Sequence, residues 1–556
     1  MCIRDRYYNT TASNSIGIGS FALASIGGGS QNVAIGLSAM ASTGTAADND
    51  ASNNVAVGYN ALYTITDGDY NTAIGYQTGD ALTTGAGNIF IGQSAGTATT
   101  DVDKAIIIGR DAGAANMTSD ADGTIGIGYQ AAKSITSGQG NVAIGYNALE
   151  LEDTGDFNVA IGRYALNAQN VDGTVGNIAV GYYAGAAITS GAGNTAIGYK
   201  SADSILTGEK NVVIGYEAYD DADGAESSSV VIGWAAGGSI NHDSTANNVI
   251  IGTSAGSGGG AAMIGCVAIG SDAMDSTGAN AQTGTIAIGT SALTALTSGA
   301  SNTAIGYQSL DAITTGAENV AIGYNAMTSA DGSETRNVAI GNDALYSMNN
   351  NSTNANTAVG SSVGYNITTG SGNSLFGYRA GDAGNFGSAT LIGYQAGGAI
   401  NSTDADGTVA VGYSALNALT SGAGNTAIGF ESLKNIVTGV SNIAIGYEAA
   451  EGFEAAESRN VVIGYEAMST ADEGSGSGNG IDDNIAIGYQ ALLMGDFSST
   501  GSRVGSGNIA IGSNAVNSTG VNSHTGTIGI GHNALTACTS GLYNTAVGHQ
   551  SGLAIT

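Results

Sequence analysis

Fifteen tyrosines share one local context: each follows the glycine of a phrase such as Ala-Ile-Gly. Among them are Tyr59, Tyr76, Tyr129, Tyr146, Tyr182, Tyr199, Tyr216, Tyr307, Tyr324, Tyr394, Tyr413, Tyr447, Tyr465 and Tyr489, and Trp234 and Phe430 take the same place. Rings that recur at one register position form a column once the chain is wound. Aromatic faces stack on sugars and carry interface energy, so a ligand-binding stripe is one reading. Ring-on-ring packing that stiffens a corner or lines a contact between chains needs no ligand and is the simpler one. His532 and His549 replace the tyrosine in consecutive phrases. Stacking would bring them about 5 Å apart, but with no third ligand at zinc spacing they read as substitutions in the column.

A second candidate is Asp-Ala-Asp-Gly, which occurs at Asp120-Ala121-Asp122-Gly123, Asp221-Ala222-Asp223-Gly224 and Asp404-Ala405-Asp406-Gly407. Paired carboxylates ahead of a glycine turn are how Ca²⁺ loops begin. The later ligands of such a loop are missing, and so is the nonapeptide calcium repeat. A polar turn is the default, and no cofactor is assigned. The chain has no nucleophile elbow, zinc-protease helix or phosphate loop. Its Gly-x-Gly pieces open no helix, and its acidic residues fall in no pair that spacing identifies as a glycosidase dyad. The sequence thus reads as non-enzymatic.

What positions these residues is a repeat. The phrase Asn194-Thr195-Ala196-Ile197-Gly198-Tyr199 recurs in variants along the chain, which is the mark of a repeat architecture. Its glycine gives 30 anchors, from Gly19 to Gly548; of the 29 intervals, fourteen are 17 residues and seven are 19. Ile or Val precedes the anchor everywhere except at Phe376, and a β-branched residue usually stands three before it with a small one between. This period of two predicts a short strand ended by glycine, its Ile and Val rows buried against neighbouring coils. Leu, Ala, Met or Gly follows at +4 and Ile or Leu at +7, as in Ile65, Leu82, Ile135, Ile188, Leu296 and Ile436. A Gly corner then leads to the next Asn, which is either an Asn ladder or a left-handed corner residue. Seventeen residues close no core alone, so the units must stack. The expected fold is all-β: a parallel β-roll or β-solenoid of about 30 coils, roughly 140 Å long at parallel-strand spacing.

Composition agrees. There are 91 Gly and no Pro, which suits continuous ladders that use every N–H. A net charge of −32 without a basic patch argues against nucleic-acid binding and for a solvated, self-repelling surface. No apolar run is long enough for a membrane span. Of Cys2, Cys266 and Cys538, the last two lie too many coils apart to pair, and Cys538 sits at the apolar +7 position as a small buried hydrophobe. Residues 1–6 match no repeat and read as a non-native leader, residues 7–14 as an N-terminal edge, and 15–556 as one continuous repeat region. The last coil stops after its second apolar position, which suggests truncation and a missing C-terminal domain. The widest intervals fall over residues 41–53, 469–484 and 494–508 and read as loops.

The recurring Asn-Thr/Val-Ala-Ile-Gly followed by an Ala/Leu turn resembles the head repeats of YadA-type trimeric autotransporter adhesins and the related repeats of bacteriophage tail fibres. The resemblance covers nearly all of 15–556, although the adhesin coils are shorter and more uniform. It implies a homotrimer of β-rolls, extracellular on a bacterial surface or virion tail. Such a fibre would attach multivalently to a host-surface glycan or protein receptor. The alternatives are a glycan-cleaving tailspike and an ice-binding solenoid.

Overall fold

The structure is a computed structural model that describes residues 14–45, 49–278, 280–349, 354–471, 480–494, 505–517, 524–538 and 541–553. The 1–6 leader with Cys2, nearly all of the 7–14 edge, and the loop residues 46–48, 472–479 and 495–504 lie outside the described residues. The chain divides into two compact units, Met1–Gly284 and Thr285–Thr556. Each unit is a parallel β-solenoid of fifteen three-residue strands. In the first they run from Ile16–Ile18 to Val267–Ile269, and in the second from Ile286–Ile288 to Thr545–Val547. Every strand pairs in parallel with the next in unshifted register, as in Thr195↔Val212, Ala196↔Val213 and Ile197↔Ile214. Fourteen such turns per unit give 28 turns in all. Among the described residues the only helical pieces are single 3₁₀ turns, Ser119–Ala121 and Thr403–Ala405.

The core differs from the expectation in one respect that matters for function. Period two places the β-branched pair on one face and the small residue on the other, and the small residue is the one inside. Ala34, Ala73, Ala143, Ala196 and Ala304 are buried, whereas Ile35, Ile74 and Ile392 remain 37%, 40% and 39% exposed. The Ile and Val rows that were expected to fill the core therefore face outward. The reason is room: the interior is already filled by the +3 Ala, the +4 Leu or Met and the +7 Ile or Leu, exemplified by Ala148, Leu149, Ile65 and Ile313, all fully buried. A large residue enters the strand's inner position mainly where glycine vacates +4. Phe90 lies over Gly79 and Gly96, Ile107 over Gly113, Ile250 over Gly256 and Leu391 over Gly397. Volume is conserved across coils, as close packing requires.

The Asn at −4 is a ladder. The Asn54 backbone N–H donates to Asn32 Oδ1 (2.9 Å), Asn71 N–H to Asn54 Oδ1 (2.8 Å) and Asn88 N–H to Asn71 Oδ1 (2.9 Å). Each amide also donates to a corner carbonyl, as Asn54 Nδ2 does to Gly68 O and Asn71 Nδ2 to Gly85 O, both at 2.8 Å. The left-handed corner belongs to the residue before it, for example Asn53 or Tyr70, with φ of 61° and 60°. Further left-handed residues stand at +2 and +4, such as Gln77 and Leu62. Their N–H groups donate to a neighbouring coil, Gln77 to Tyr59 O at 2.8 Å and Leu62 to Thr78 O at 3.1 Å, which offsets the strain.

The anchor glycine is needed twice over. Its φ lies near +140°, as in Gly198 (+138°), and a Cβ built there would run into the carbonyl of the next anchor, Gly215. Glycine alone tolerates both the φ and the approach.

Candidate functional site

The outward columns carry whatever chemistry the solenoid offers. The strand contributes two of them, at −3 and −1, and neither holds a charged residue in any coil. Past the glycine corner comes the aromatic column at +1. Unshifted strand register brings its rings into line, and consecutive tyrosines stack. Tyr59 lies on Tyr76 (centroids 5.2 Å apart), Tyr129 on Tyr146 (4.9 Å), Tyr182 on Tyr199 (5.2 Å), Tyr199 on Tyr216 (4.9 Å) and Tyr307 on Tyr324 (5.3 Å). In the second unit the run is longer: Tyr378, Tyr394, Tyr413, Phe430, Tyr447, Tyr465 and Tyr489 follow one another at 4.9–5.5 Å with interplanar angles of 6–19°. Trp234 takes the same position in its coil and is 54% exposed.

This geometry decides how the column can work. Within a run, each inner ring spends both faces on its neighbours and presents only its edge and hydroxyl to solvent. A face that is already stacked cannot also hold a sugar, so the inner rings act as a stiffening ladder. Only the ring at the end of a run has a face to offer. Tyr378 heads the seven-ring run; it follows Phe376-Gly377, the one phrase without Ile or Val.

Two arginines join the column and were not foreseen as part of it. Arg110 sits 4.5 Å over the Tyr129 ring, and Arg163 sits 5.2 Å from Tyr146 and 5.0 Å from Tyr164. A planar guanidinium can replace a ring in such a stack. Carboxylates beside the ladder raise two of its phenols, Tyr447 and Tyr465. Glu448, hydrogen-bonded to Tyr447, pushes that hydroxyl up to about 12, with burial and charge adding to it. Glu466 raises Tyr465 in the same way. No protein-family model matches the chain, and no curated protein matches it.

The Asp-Ala-Asp-Gly segments are polar turns with internal partners. Asp122 Oδ1 accepts the Asp103 N–H at 2.7 Å and Asp406 Oδ1 accepts the Gly387 N–H at 2.6 Å, each tying one coil to the preceding one. Asp120 and Asp404 are exposed on the 3₁₀ turns, where the Asp404 N–H donates to Ser402 Oγ at 3.1 Å. Asp221 and Asp223 are exposed too. Asp221 helps to raise the neighbouring Asp220 carboxyl to about 6, burial being the larger cause. Among the described residues, no three His, Cys, Asp or Glu converge as metal ligands. His532 and His549 lie against one another as consecutive members of the column, with centroids 5.3 Å apart and rings tilted by 33°.

Four fully buried glutamates, Glu152, Glu226, Glu334 and Glu457, were not anticipated. Three of them stand seven before the anchor in 18-residue coils, and their carboxylates close the wider corner. Glu226 Oε2 accepts the Gly224 N–H (3.0 Å), Glu334 Oε2 the Gly332 N–H (3.1 Å) and Glu457 Oε2 the Ala455 N–H (3.0 Å). Glu152 accepts three N–H groups, from Asp153, Thr154 and Gly155, and is bonded by Gln169 Nε2 at 2.8 Å. These are corner-closing groups with no substrate-facing side. For Glu226, Glu334 and Glu457 the signal in the sequence is the coincidence of a glutamate seven before the anchor with a coil one residue longer than the coil before it.

Proposed function

We propose that the chain is a non-enzymatic attachment protein that assembles by packing its outward strand face on further copies of itself, in trimers, as the repeat resemblance implies. The observation that carries this reading is the strand face: Val, Ile or Thr at −3 and Ile or Val at −1 in every coil except that of Ser374 and Phe376, uncharged throughout on a protein of net charge −32. Extended apolar patches of this kind mark association surfaces. A second copy is the favoured occupant because it alone offers the same rows at the same coil spacing. An exposed Ile still has about 40% of its surface to bury. Covering it recovers about 1 kcal/mol of the roughly 1.5–3 kcal/mol that full burial is worth. Repeated over many coils, this exceeds the cost of association. Surface attachment then follows from multivalency: three chains present each weak site at once, and avidity replaces affinity. The setting this reading requires is extracellular, on a cell surface or a virion.

The test is the solution mass of the full chain by multi-angle light scattering, alongside Ile144→Glu and Ile305→Glu, which put a charge on the outward face of each unit. The expected result is three times the chain mass, lowered by the paired substitutions while circular dichroism stays unchanged. A folded wild-type monomer would refute the assembly.

A further inference from the structure

We infer that the second unit carries a sugar-binding groove where the seven-ring ladder begins, and that its ligand is a neutral pyranose. This gives the attachment reading its ligand and rests on that reading. The argument starts from uncovered ring faces. Tyr378 stacks on Tyr394 on one side (5.3 Å), and in the coil on its other side the same position is Ser361, which has no ring to cover it. A second break lies close by, at +5. Tyr365 stacks on Tyr346 (4.9 Å, interplanar angle 2°), and the following coil places Asp382 at that position. Two aromatic columns, one ending and one beginning, thus leave faces open toward the same space.

That space is a groove of about 370 Å³ lined by Ser362, Tyr365, Asn366, Tyr378, Arg379 and Asp382. It lies at the small end of ligand-site volumes, the size of one or two sugar rings. Its polar groups are fixed in advance. Arg379 Nε donates to Asp382 Oδ2 at 2.5 Å, and the Asp382 residue is only 8% exposed. Asn366 Nδ2 donates to the Asp382 backbone carbonyl at 2.8 Å, which leaves its Oδ1 for a ligand. A pyranose needs this combination: an aromatic face for its C–H patch, and donors and acceptors held rigidly at the side for its hydroxyls. The charge state narrows the class. Arg379 and Asp382 neutralise one another in a strongly acidic chain, so a carboxylated or sulfated sugar finds no unbalanced cation. The groove uses positions +1, +2, +5 and +6, past the glycine corner, so the strand face can be covered by other copies while the groove stays open.

The test is saturation-transfer NMR on the full chain with methyl β-D-galactopyranoside, methyl β-D-glucopyranoside and methyl β-D-glucuronide as probes. We expect transfer to the ring C–H protons of at least one neutral pyranoside, with weak, roughly millimolar affinity. Tyr378→Ser should weaken it at least tenfold. Tyr378→Phe should keep it, and so should Tyr413→Ser, whose ring has both faces covered. The inference is overturned by no transfer from either neutral probe at tens of millimolar, by transfer that survives Tyr378→Ser, or by tighter binding of the glucuronide. Light scattering on the same samples separates the two readings. A trimer without transfer loses this site and keeps the assembly; a monomer with transfer keeps the site and loses the assembly.

Discussion

Replacing an anchor glycine by alanine tests the coil geometry most directly, and Gly92 is the position to change. Its φ is +131°, and an added Cβ would lie 2.7 Å from the Gly109 carbonyl oxygen and 2.8 Å from its carbon, closer than real Cβ atoms come. Left-handed strain alone costs about 1–3 kcal/mol. The clash is with backbone that is itself held by the Gly109 N–H to Ile91 O bond at 2.8 Å, so nothing can swing aside. Together these effects put the cost at about 3–5 kcal/mol, within the range for backbone conflicts in a packed core. Gly123 is the matched control: φ is +76°, but no atom lies within 4 Å of its added Cβ. Alanine there carries strain without a clash, partly offset by a stiffer unfolded chain, for a net of about 1 kcal/mol. Solenoids unfold segment by segment, so a global melting temperature would blur the difference. Native-state hydrogen exchange read by mass spectrometry over the flanking coils resolves it. Gly92→Ala should lower the local opening free energy of the strands Thr72–Ile74, Ile89–Ile91 and Ile106–Ile108 several times more than Gly123→Ala lowers that of its own coil. Equal effects would refute the argument that anchor-to-anchor contact fixes the coil.

Three more outcomes follow from the interior and the charges. Asn194→Ala removes the acceptor of the Asn211 N–H (3.0 Å) and the donor to Gly208 O (2.8 Å), stranding two buried groups; a loss of about 2–4 kcal/mol is expected in local exchange, against about 1 kcal/mol for Asn53→Ala, where the half-buried side chain strands no buried group and the cost is left-handed strain. Phe90→Ala opens a cavity where Gly79 and Gly96 make room for the ring and should cost about 3–5 kcal/mol, with Gly96→Ala in the Phe90→Ala background partly refilling it. Burial raises the Asp220 carboxyl from 3.8 to about 6, and it also raises Asp80, Asp203, Glu226 and Glu451. These groups bind protons more tightly folded than unfolded; the contribution of Asp220 is complete below about pH 4 and lost as pH rises through about 6, and the other four act in the same direction. Thermal unfolding should therefore shift upward between pH 7 and pH 5, and Asp220→Asn should shrink that shift.

Much of the fold was legible in the chain itself. The Ile-Gly period gives the strand and its register, and Leu62, Ile65 and Leu82 lie in the core where the +4 and +7 pattern placed them. Which strand face is inside was not legible. Alternation separates Val142 and Ile144 from Ala143, but hydrophobicity alone assigns the larger pair to the core. The contrary signal is in the exceptions: Phe90, Ile107, Ile250 and Leu391 enter the inner position beside a glycine, which means that this position is short of space. The two roles for Asn could not be separated because the left-handed residue is its immediate neighbour, sometimes another Asn, as at Asn53-Asn54 and Asn247-Asn248. The aromatic column could be read, but not which of its faces are free. That depends on what the adjoining coil carries, and so on Ser361 as much as on Tyr378.

The same dependence explains how so uniform a chain can carry specificity. A perfect repeat would bury every ring face and close every corner alike, leaving stability without a place for a particular ligand. Interior columns tolerate little change, because each Gly, Asn and Ala is constrained by the coils on both sides. Outward columns at +1, +2 and +5 are constrained only by stacking, and there a single substitution uncovers a ring face without disturbing the core. Ser361 beneath Tyr378 and Asp382 beside Tyr365 are two such substitutions in adjoining coils, and the groove arises from their coincidence. Recognition on this scaffold should therefore be sought at breaks in the outward columns. Swapping Ser361 to Tyr, which extends the ladder by one ring, should abolish pyranose binding and raise local stability by about 0.5–1.5 kcal/mol, the worth of one stacked aromatic pair. If the extended ladder still bound the sugar, the open face of Tyr378 would not be the determinant.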